Sequence, residues 1–213
     1  MPRYLARLLL ALGLLVTPLA HAILEGVDYV KLAQPRATET RGKIEVLEFF
    51  WYACPHCYRL EPELNAWAKR LPKDVVLRRV PATLNPDWEP LTRVYYTLEA
   101  TGQLEQLHAK VFDAIHIERI KLNKPEIFFD WAAQQGADRA KLAQAYNSFS
   151  VNSKVQRARQ LVQEYKIDGV PAFAVNGKYI TSAYMTGSNP ALFAALDSLI
   201  RMEQDAKRAK PGR

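Results

Sequence analysis

The chain has 213 residues, which is enough for one domain or for one domain with a large insertion. Its hydrophobic content of 49% is ordinary for a globular protein and permits a sizeable core. The formal net charge of +7 is a mild excess of scattered Lys and Arg. No basic motif lies on a recognisable element, so nucleic acid is not an expected partner.

The N-terminus has the layout of a secretory signal peptide, which we predict for residues 1–22. Arg3 and Arg7 precede an uncharged apolar run, LLLALGLLV, and the sequence AHA that ends at Ala22 supplies small residues for cleavage. The alternative is a membrane anchor, but the run is well short of the roughly 20 apolar residues that a spanning helix needs. We therefore expect cleavage after Ala22 and export to an oxidising compartment.

A predicted strand is followed directly by a predicted helix. Residues 44–50, IEVLEFF, form a β-branched and aromatic run that is typical of a largely buried strand. From Pro55 onward the apolar residues recur at helical spacing, and proline is well tolerated in the first turn of a helix. This pattern predicts a strand-to-helix turn around residues 51–54.

The sequence has two cysteines: Cys54 ends this turn, and Cys57 lies at the start of the predicted helix. A disulfide between them would close a very small loop, which adds little to stability. The spacing therefore suits a bond that is made and broken better than a structural bridge. A zinc site is disfavoured because four ligands are usual and the sequence has no second Cys pair.

The position of Cys54 at the start of a helix predicts a reactive thiol. Free N–H groups and the helix dipole stabilise an anion there, and His56 adds a donor or a positive charge nearby. Cys57 lies a turn further in and is expected to be more buried, so that it would resolve a mixed disulfide formed at Cys54. A stabilised thiolate favours the dithiol form and makes the disulfide form a stronger oxidant.

The middle of the chain is predicted to be helical. A strand at about residues 75–80 comes first, and the helical patterns then extend over roughly residues 85–157 without an intervening strand. Asp138 is placed to cap one of these helices, and a further helix is expected from about Ser153 to Tyr165. Two histidines of this segment, His108 and His116, are interpreted as surface or helix-packing residues.

The last part of the chain returns to strand. The residues after Pro171 have strand character, and Asn176-Gly177 is a strong signal for a two-residue hairpin turn. A final helix is predicted to begin at Asn189.

Two motifs resemble the DsbA family of thioredoxin-fold oxidases. VLEFF at residues 46–50, followed by CPHCY at 54–58, is similar to the active-site region of that family. GVPAFAVNGKY at 169–179 is similar to its cis-proline loop and the hairpin after it. A CxxC motif alone is weak, but CPHC with a downstream Val-Pro pair at this distance is specific.

The resemblance covers essentially the whole chain after residue 22 and implies an α/β protein with a thioredoxin-like fold. An all-helical domain at residues 85–157 would be inserted into a discontinuous thioredoxin-like domain, which residues 23–84 and 158–213 would form.

The resemblance also implies roles around the cysteine pair. Cys54 would be the nucleophile and Cys57 its resolving partner, while Pro55 and His56 would tune the redox potential. Glu48, in an otherwise apolar strand, would be a buried carboxyl with a raised pKa that relays protons near Cys57. The alternative for Glu48 is an edge-strand side chain that points to water.

Substrate binding is implied for the residues before the hairpin. Pro171 would be a cis-proline beside the disulfide, and the backbone of Val170 would pair with an extended substrate segment. The alternative for Pro171 is an ordinary trans proline that opens a strand.

The resulting hypothesis is a periplasmic, monomeric protein dithiol oxidase that donates the Cys54–Cys57 disulfide to folding secreted proteins. A quinone-linked membrane protein of the DsbB type would reoxidise it, and no metal or organic cofactor is expected. One alternative is a reductase or isomerase on the same fold, disfavoured because Val170 stands where threonine would be expected. The other is a non-enzymatic binding or chaperone module with a structural disulfide.

Overall fold

The structure is a computed structural model that describes residues 23–209. The predicted signal peptide and its cleavage after Ala22 lie outside the described residues. A mixed sheet forms the centre of the described part of the chain. Its strands are β1 (Val30–Lys31), β2 (Ile44–Phe50), β3 (Val75–Pro81), β4 (Ala172–Val175) and β5 (Tyr179–Thr181).

The strand order across the sheet is β1-β5-β4-β2-β3. β2 pairs in parallel with β3 and antiparallel with β4. The remaining pairs, β4 with β5 and β5 with β1, are antiparallel. The predicted strands at 44–50 and 75–80 and the predicted hairpin are therefore confirmed.

Helices both follow the strands and separate them. They are α1 (Pro55–Ala68), α2 (Glu89–Ala100), α3 (Leu104–His116), α4 (Pro125–Gln134), α5 (Arg139–Tyr146), α6 (Phe149–Glu164), α7 (Ala183–Thr186) and α8 (Asn189–Arg208), with a short 3-10 turn at Pro86–Trp88. The run α2–α6 lies between β3 and β4, so this is the predicted thioredoxin-like architecture with a helical insertion. None of the helices in the described part of the chain is long and apolar enough to cross a membrane.

The ends of two inserted helices show how local capping sets their limits. Asp138 Oδ1 accepts a hydrogen bond from Lys141 N–H at 3.1 Å and caps α5, as predicted. α6 begins earlier than the predicted Ser153, because Ser148 caps it by accepting a bond from Val151 N–H at 3.2 Å. The predicted boundary between the helical insertion and the second part of the thioredoxin-like domain, at residue 157, falls inside α6. The division of the chain into domains stays a prediction.

β2 contributes to two hydrophobic cores, because successive side chains of a strand point to opposite faces of the sheet. Ile44 and Val46 pack with residues of α1 and α8. Leu47 and Phe49 pack with residues of the inserted helices. All seven residues of β2 are buried, so the turn that follows this strand starts from a fixed point in the molecule.

Candidate active site

Cys54 is the N-cap residue of α1, and its sulfur lies among the free N–H groups of the first turn. Cys54 Sγ accepts a hydrogen bond from Cys57 N–H at 3.3 Å. The hydrogen bond from the Cys57 side chain makes the largest contribution to the pKa of Cys54, which it lowers. This contribution is larger than the opposite one from burial, which raises the pKa. With smaller contributions from the backbone N–H groups of Cys57 and His56, the pKa of Cys54 is lowered to about 6.

Cys57 differs sharply from Cys54 in exposure and acidity. Its exposed fraction is 1%, against 7% for Cys54, so the prediction that Cys57 is the more buried sulfur is confirmed. Burial raises the pKa of Cys57 far above its usual range, and the hydrogen bond to Cys54 raises it further. Both residues are free cysteines, so the structure represents the dithiol form, in which one sulfur ionises readily and the other keeps its proton.

The loop before β4 lies beside Cys54. The Val170–Pro171 peptide bond is cis, and Cys54 Sγ donates a hydrogen bond to the Val170 carbonyl oxygen at 3.5 Å. The sheet explains this proximity, because Phe49 near the end of β2 lies opposite Ala172 at the start of β4. The residues that follow β2 and those that precede β4 therefore meet at the same end of the sheet.

Glu48 lies in β2 with an exposed fraction of 1%, so its predicted burial is confirmed. Its Oε2 atom is 3.1 Å from Nε of Arg79, which is directly opposite on β3. The pKa of Glu48 is raised to about 8, and burial is the main cause. The charge of Arg79 opposes this rise, and the charge of Glu61 adds to it. The charge of Cys54 also raises the pKa of Glu48, and the charge of Glu48 raises the pKa of Cys57. A carboxyl with this pKa can donate or accept a proton near neutral pH.

A polar cluster beneath the cysteines joins three elements, and the sequence analysis did not identify it. Arg79 Nη2 donates hydrogen bonds to Glu61 Oε1 and to Asn65 Oδ1, both at 2.8 Å. His108 Nε2 is 3.2 Å from Glu61 Oε1. One signal was present in the sequence: Glu61 is four residues after Cys57, which places both side chains on the same face of α1.

Tyr52 and the two histidines connect this cluster to the turn before α1. The Tyr52 hydroxyl donates a hydrogen bond to His108 Nδ1 at 2.7 Å, and His116 Nε2 donates to the Tyr52 carbonyl oxygen at 2.8 Å. The prediction of packing roles is therefore right for both histidines, but it missed the contact of His108 with a buried carboxylate. His56 is exposed, and its Nδ1 accepts a hydrogen bond from Arg59 at 2.9 Å.

The unequal acidity of the two sulfurs determines what the site can do. An ionised outer sulfur attacks disulfides and is a good leaving group, and a protonated inner sulfur is held next to it for intramolecular attack. On a sheet of this topology, with a cis-proline loop at the same end, the arrangement defines the class of thioredoxin-fold thiol–disulfide oxidoreductases.

Comparisons with known proteins specify the family within this class. A family model described as a DSBA-like thioredoxin domain matches residues 67–195. The thiol:disulfide interchange protein DsbA of Bordetella parapertussis is 47% identical over 200 residues, which cover 93% of this chain and 94% of that protein. DsbA of Burkholderia cepacia is 39% identical over 212 residues, which cover 97% of this chain and 100% of that protein.

A solved structure supports the same assignment. The crystal structure of Pseudomonas aeruginosa DsbA is similar with a TM-score of 0.84 at 38% sequence identity, and the match covers 87% of this chain and 97% of that chain. The chain therefore belongs to the DsbA family and is a thiol–disulfide oxidoreductase, as its sequence predicts.

Proposed function

We propose that the protein works as a dithiol oxidase, which transfers its Cys54–Cys57 disulfide to folding secreted proteins in the periplasm. The observation that carries this proposal is the position of Cys54 as the N-cap of α1, where its sulfur accepts a hydrogen bond from Cys57 N–H at 3.3 Å. The Cys57 side chain and the helix N–H groups lower the pKa of Cys54 to about 6. A stabilised Cys54 thiolate favours the dithiol form. The disulfide form therefore accepts electrons readily and oxidises other dithiols.

The reaction begins with the disulfide form of the enzyme. A substrate thiolate attacks Cys54 Sγ, the sulfur–sulfur bond breaks, and its electron pair moves to Cys57, which takes a proton from the Glu48 carboxyl. A second substrate thiolate then attacks the substrate sulfur of the mixed disulfide and releases Cys54 as a thiolate. The substrate leaves with a disulfide, and the enzyme has gained two electrons and becomes a dithiol.

The remaining predicted site residues have supporting roles in this proposal. Val170 would pair its backbone with an extended substrate, since its carbonyl oxygen lies 3.5 Å from Cys54 Sγ, and Pro171 would hold that loop in place. Pro55 and His56 would tune the redox potential, and the backbone N–H of His56 lowers the Cys54 pKa. The two sulfurs carry both electrons, so we propose that no metal or organic cofactor takes part.

The partners and the location are also proposals. Membership of the DsbA family supports reoxidation by a quinone-linked membrane protein of the DsbB type and reduced secreted proteins as substrates. The N-terminal sequence supports export and cleavage after Ala22, and we propose that the exported enzyme acts as a monomer.

Oxidation of a reduced, unfolded test protein that needs disulfides to become active tests this function. The disulfide form of the wild type should restore activity in the test protein, and Cys54→Ser should not. A binding or chaperone module would keep its effect in Cys54→Ser. A reductase would show a reduction potential close to the strongly reducing value of thioredoxin, about −270 mV, whereas an oxidase should lie well above it.

A further inference from the structure

A cleft of about 450 Å³ lies near the cis-proline loop and takes no part in the chemistry described above. Residues 83–86, which follow β3, form one of its walls. The end of α6 and the residues after it, as far as Ile167, form the other wall. Ile167 is three residues before Val170 in the sequence, so the cleft begins within roughly 11 Å of Val170 even if the chain between them is fully extended.

The first wall of the cleft is joined to the turn that leads into α1. Ala82 N–H donates a hydrogen bond to the Phe50 carbonyl oxygen at 2.7 Å, so the chain leaves β3 at the same end of the sheet at which it leaves β2. In the turn after β2, the Trp51 ring stacks on that of Trp88, with centroids 4.1 Å apart and an interplanar angle of 4°. Trp88 ends the 3-10 turn whose first residue, Pro86, lines the cleft. The cleft is therefore a neighbour of the active-site turn.

The lining of the cleft is positively charged. Arg159 and Lys166 belong to it, and none of the described residues in the lining is acidic. Arg159 is already paired with Glu89, whereas the Lys166 side chain is exposed. Glu164 and Asp168, the acidic neighbours of Lys166 in the sequence, are outside the lining. The cleft is therefore complementary to a negatively charged side chain, and Lys166 is the cation available to bind it.

The backbone of Lys166 gives a second reason to expect a role for its side chain. Lys166 has a φ of 53°, in the left-handed region, where it ends α6. Its N–H donates to the Gln163 carbonyl oxygen at 3.1 Å, and the Ile167 N–H donates to that of Val162 at 2.9 Å. Glycine adopts this conformation without a steric cost, and lysine does not. A lysine here is unfavourable for stability, which indicates that its charge is used elsewhere.

We propose that the cleft is a subsite for the protein substrate, in which Lys166 binds an acidic side chain close to the substrate cysteine. A segment that pairs with Val170 and continues past the exposed residues Asp168 and Gly169 reaches the cleft within about three residues. The preferred substrates are therefore secreted proteins that have Asp or Glu about two to four residues from the cysteine, on one side of it. This inference rests on the dithiol oxidase function proposed above.

The test compares reduced peptides that differ only in charge. Each peptide has a pair of cysteines and carries Glu, Gln or Lys about three residues outside the pair, on its N-terminal or its C-terminal side. The disulfide form of the wild type oxidises them, and kcat/KM is corrected for the thiolate fraction of each peptide. At low ionic strength, Glu should give an about two- to fivefold higher value than Gln on one side only, and Lys a lower one. No preference, or an equal preference on both sides, would overturn the proposal.

Substitutions of Lys166 test the contact through the ratio of the Glu-peptide to the Gln-peptide values. Lys166→Glu should abolish or reverse the preference, and Lys166→Arg should retain it. Lys73→Glu makes the same change of charge at an exposed position before β3, at the opposite end of the sheet, and should keep the wild-type ratio. A wild-type ratio in Lys166→Glu, or an equal loss in Lys73→Glu, would refute the proposed contact.

Lys166→Gly separates recognition of the substrate from folding. Glycine removes the ammonium group and also relieves the left-handed residue, so the midpoint of thermal unfolding should rise while the preference for the Glu peptide is lost. A preference that persists in Lys166→Gly would exclude the ammonium group as the contact. Loss of the preference together with a lower unfolding midpoint would mean that Lys166 acts through folding, and would also count against the proposal.

The Gln peptide distinguishes failure of this inference from failure of the proposed function. If the wild-type disulfide form oxidises none of the peptides, the dithiol oxidase function is wrong and the inference is lost with it. If the wild type oxidises the Gln peptide but shows no preference for the Glu peptide, only the inference about the cleft is wrong.

Discussion

The acidity of a cysteine depends on the donors that surround it, and this protein has two opposite cases three residues apart. Cys54 comes before the first helical turn, where N–H groups have no partner within the helix, and one of them donates to its sulfur at 3.3 Å. Cys57 lies inside α1, where burial raises its pKa. The two thiols therefore differ in acidity because of their positions in the helix.

We predict that the dithiol form is more stable than the disulfide form at neutral pH. The folded pKa of Cys54, about 6, is below its unfolded value, so its stabilising contribution is present above the unfolded pKa and is lost as the pH falls through about 6. In the disulfide form, the bond closes only a short loop and therefore adds little stability to offset this contribution. Urea unfolding of both forms should show a difference that shrinks at pH 5. Equal midpoints at pH 7.5 would contradict this prediction.

Glu48 should affect stability in the opposite direction. Its folded pKa is raised to about 8, so its contribution is full below the unfolded pKa and is lost as the pH rises through about 8. Relative to Glu48→Gln, the wild-type dithiol form should lose roughly 2–4 kcal/mol between pH 5 and 9. Urea unfolding across this range measures the difference, and Glu118→Gln, at an exposed carboxyl, is the control. A pH-independent difference between wild type and Glu48→Gln would disagree with the buried carboxyl described here.

At the scale of elements, the insertion depends on side-chain caps as well as on packing. Asp138 caps α5 at a distance from the cysteines, so Asp138→Ala should cost about 1 kcal/mol of stability and leave the oxidation rate unchanged. Asp138→Asn retains an accepting oxygen and should cost much less. Thermal unfolding and the oxidation assay measure the two effects. A large loss of rate in Asp138→Ala would show that the cap also acts on the active site.

Elements with strong local signals could be predicted from the sequence. The β-branched run at 44–50, the Asn176-Gly177 turn and the cap at Asp138 each depend on neighbouring residues, and each is found in the structure. β1 was not predicted, because its two residues, Val30 and Lys31, are defined as a strand by pairing with distant β5. A pairing of this kind leaves no periodicity in such a short segment.

The active site could be predicted only in part for a similar reason. The cysteines and Glu48 belong to one continuous motif, whereas Arg79 and His108 reach the cluster from β3 and α3. A lone arginine in a strand and a lone histidine in a helix carry no local signal of their partners. Their contact depends on how β3 and α3 pack around α1.

At the scale of the whole molecule, apolar packing should hold the insertion against the sheet more strongly than surface ion pairs. Phe49 is fully buried, and its ring centroid is 5.5 Å from that of Tyr165 after α6. Glu39 joins Arg78 of β3 to Arg157 of α6, with both contacts at 2.8 Å, but its side chain is 42% exposed. Exposed pairs of this kind contribute little because water screens them.

Two substitutions compare these contributions. Phe49→Ala should cost about 3–5 kcal/mol because it leaves a cavity in the core. Glu39→Ala should cost less than about 1 kcal/mol. Chemical unfolding of both variants measures the two values, and the reverse order would mean that the ion pairs dominate the contact between insertion and sheet.

The acidity of Cys54 is the physical property on which the oxidase function depends. Titration of the thiolate absorbance of the dithiol form in the ultraviolet, with the disulfide form as the baseline, measures it directly. We predict one transition with a midpoint of about 6 and no second thiolate in the neutral range. A midpoint near the ordinary cysteine value of about 8.5 would contradict the proposed mechanism.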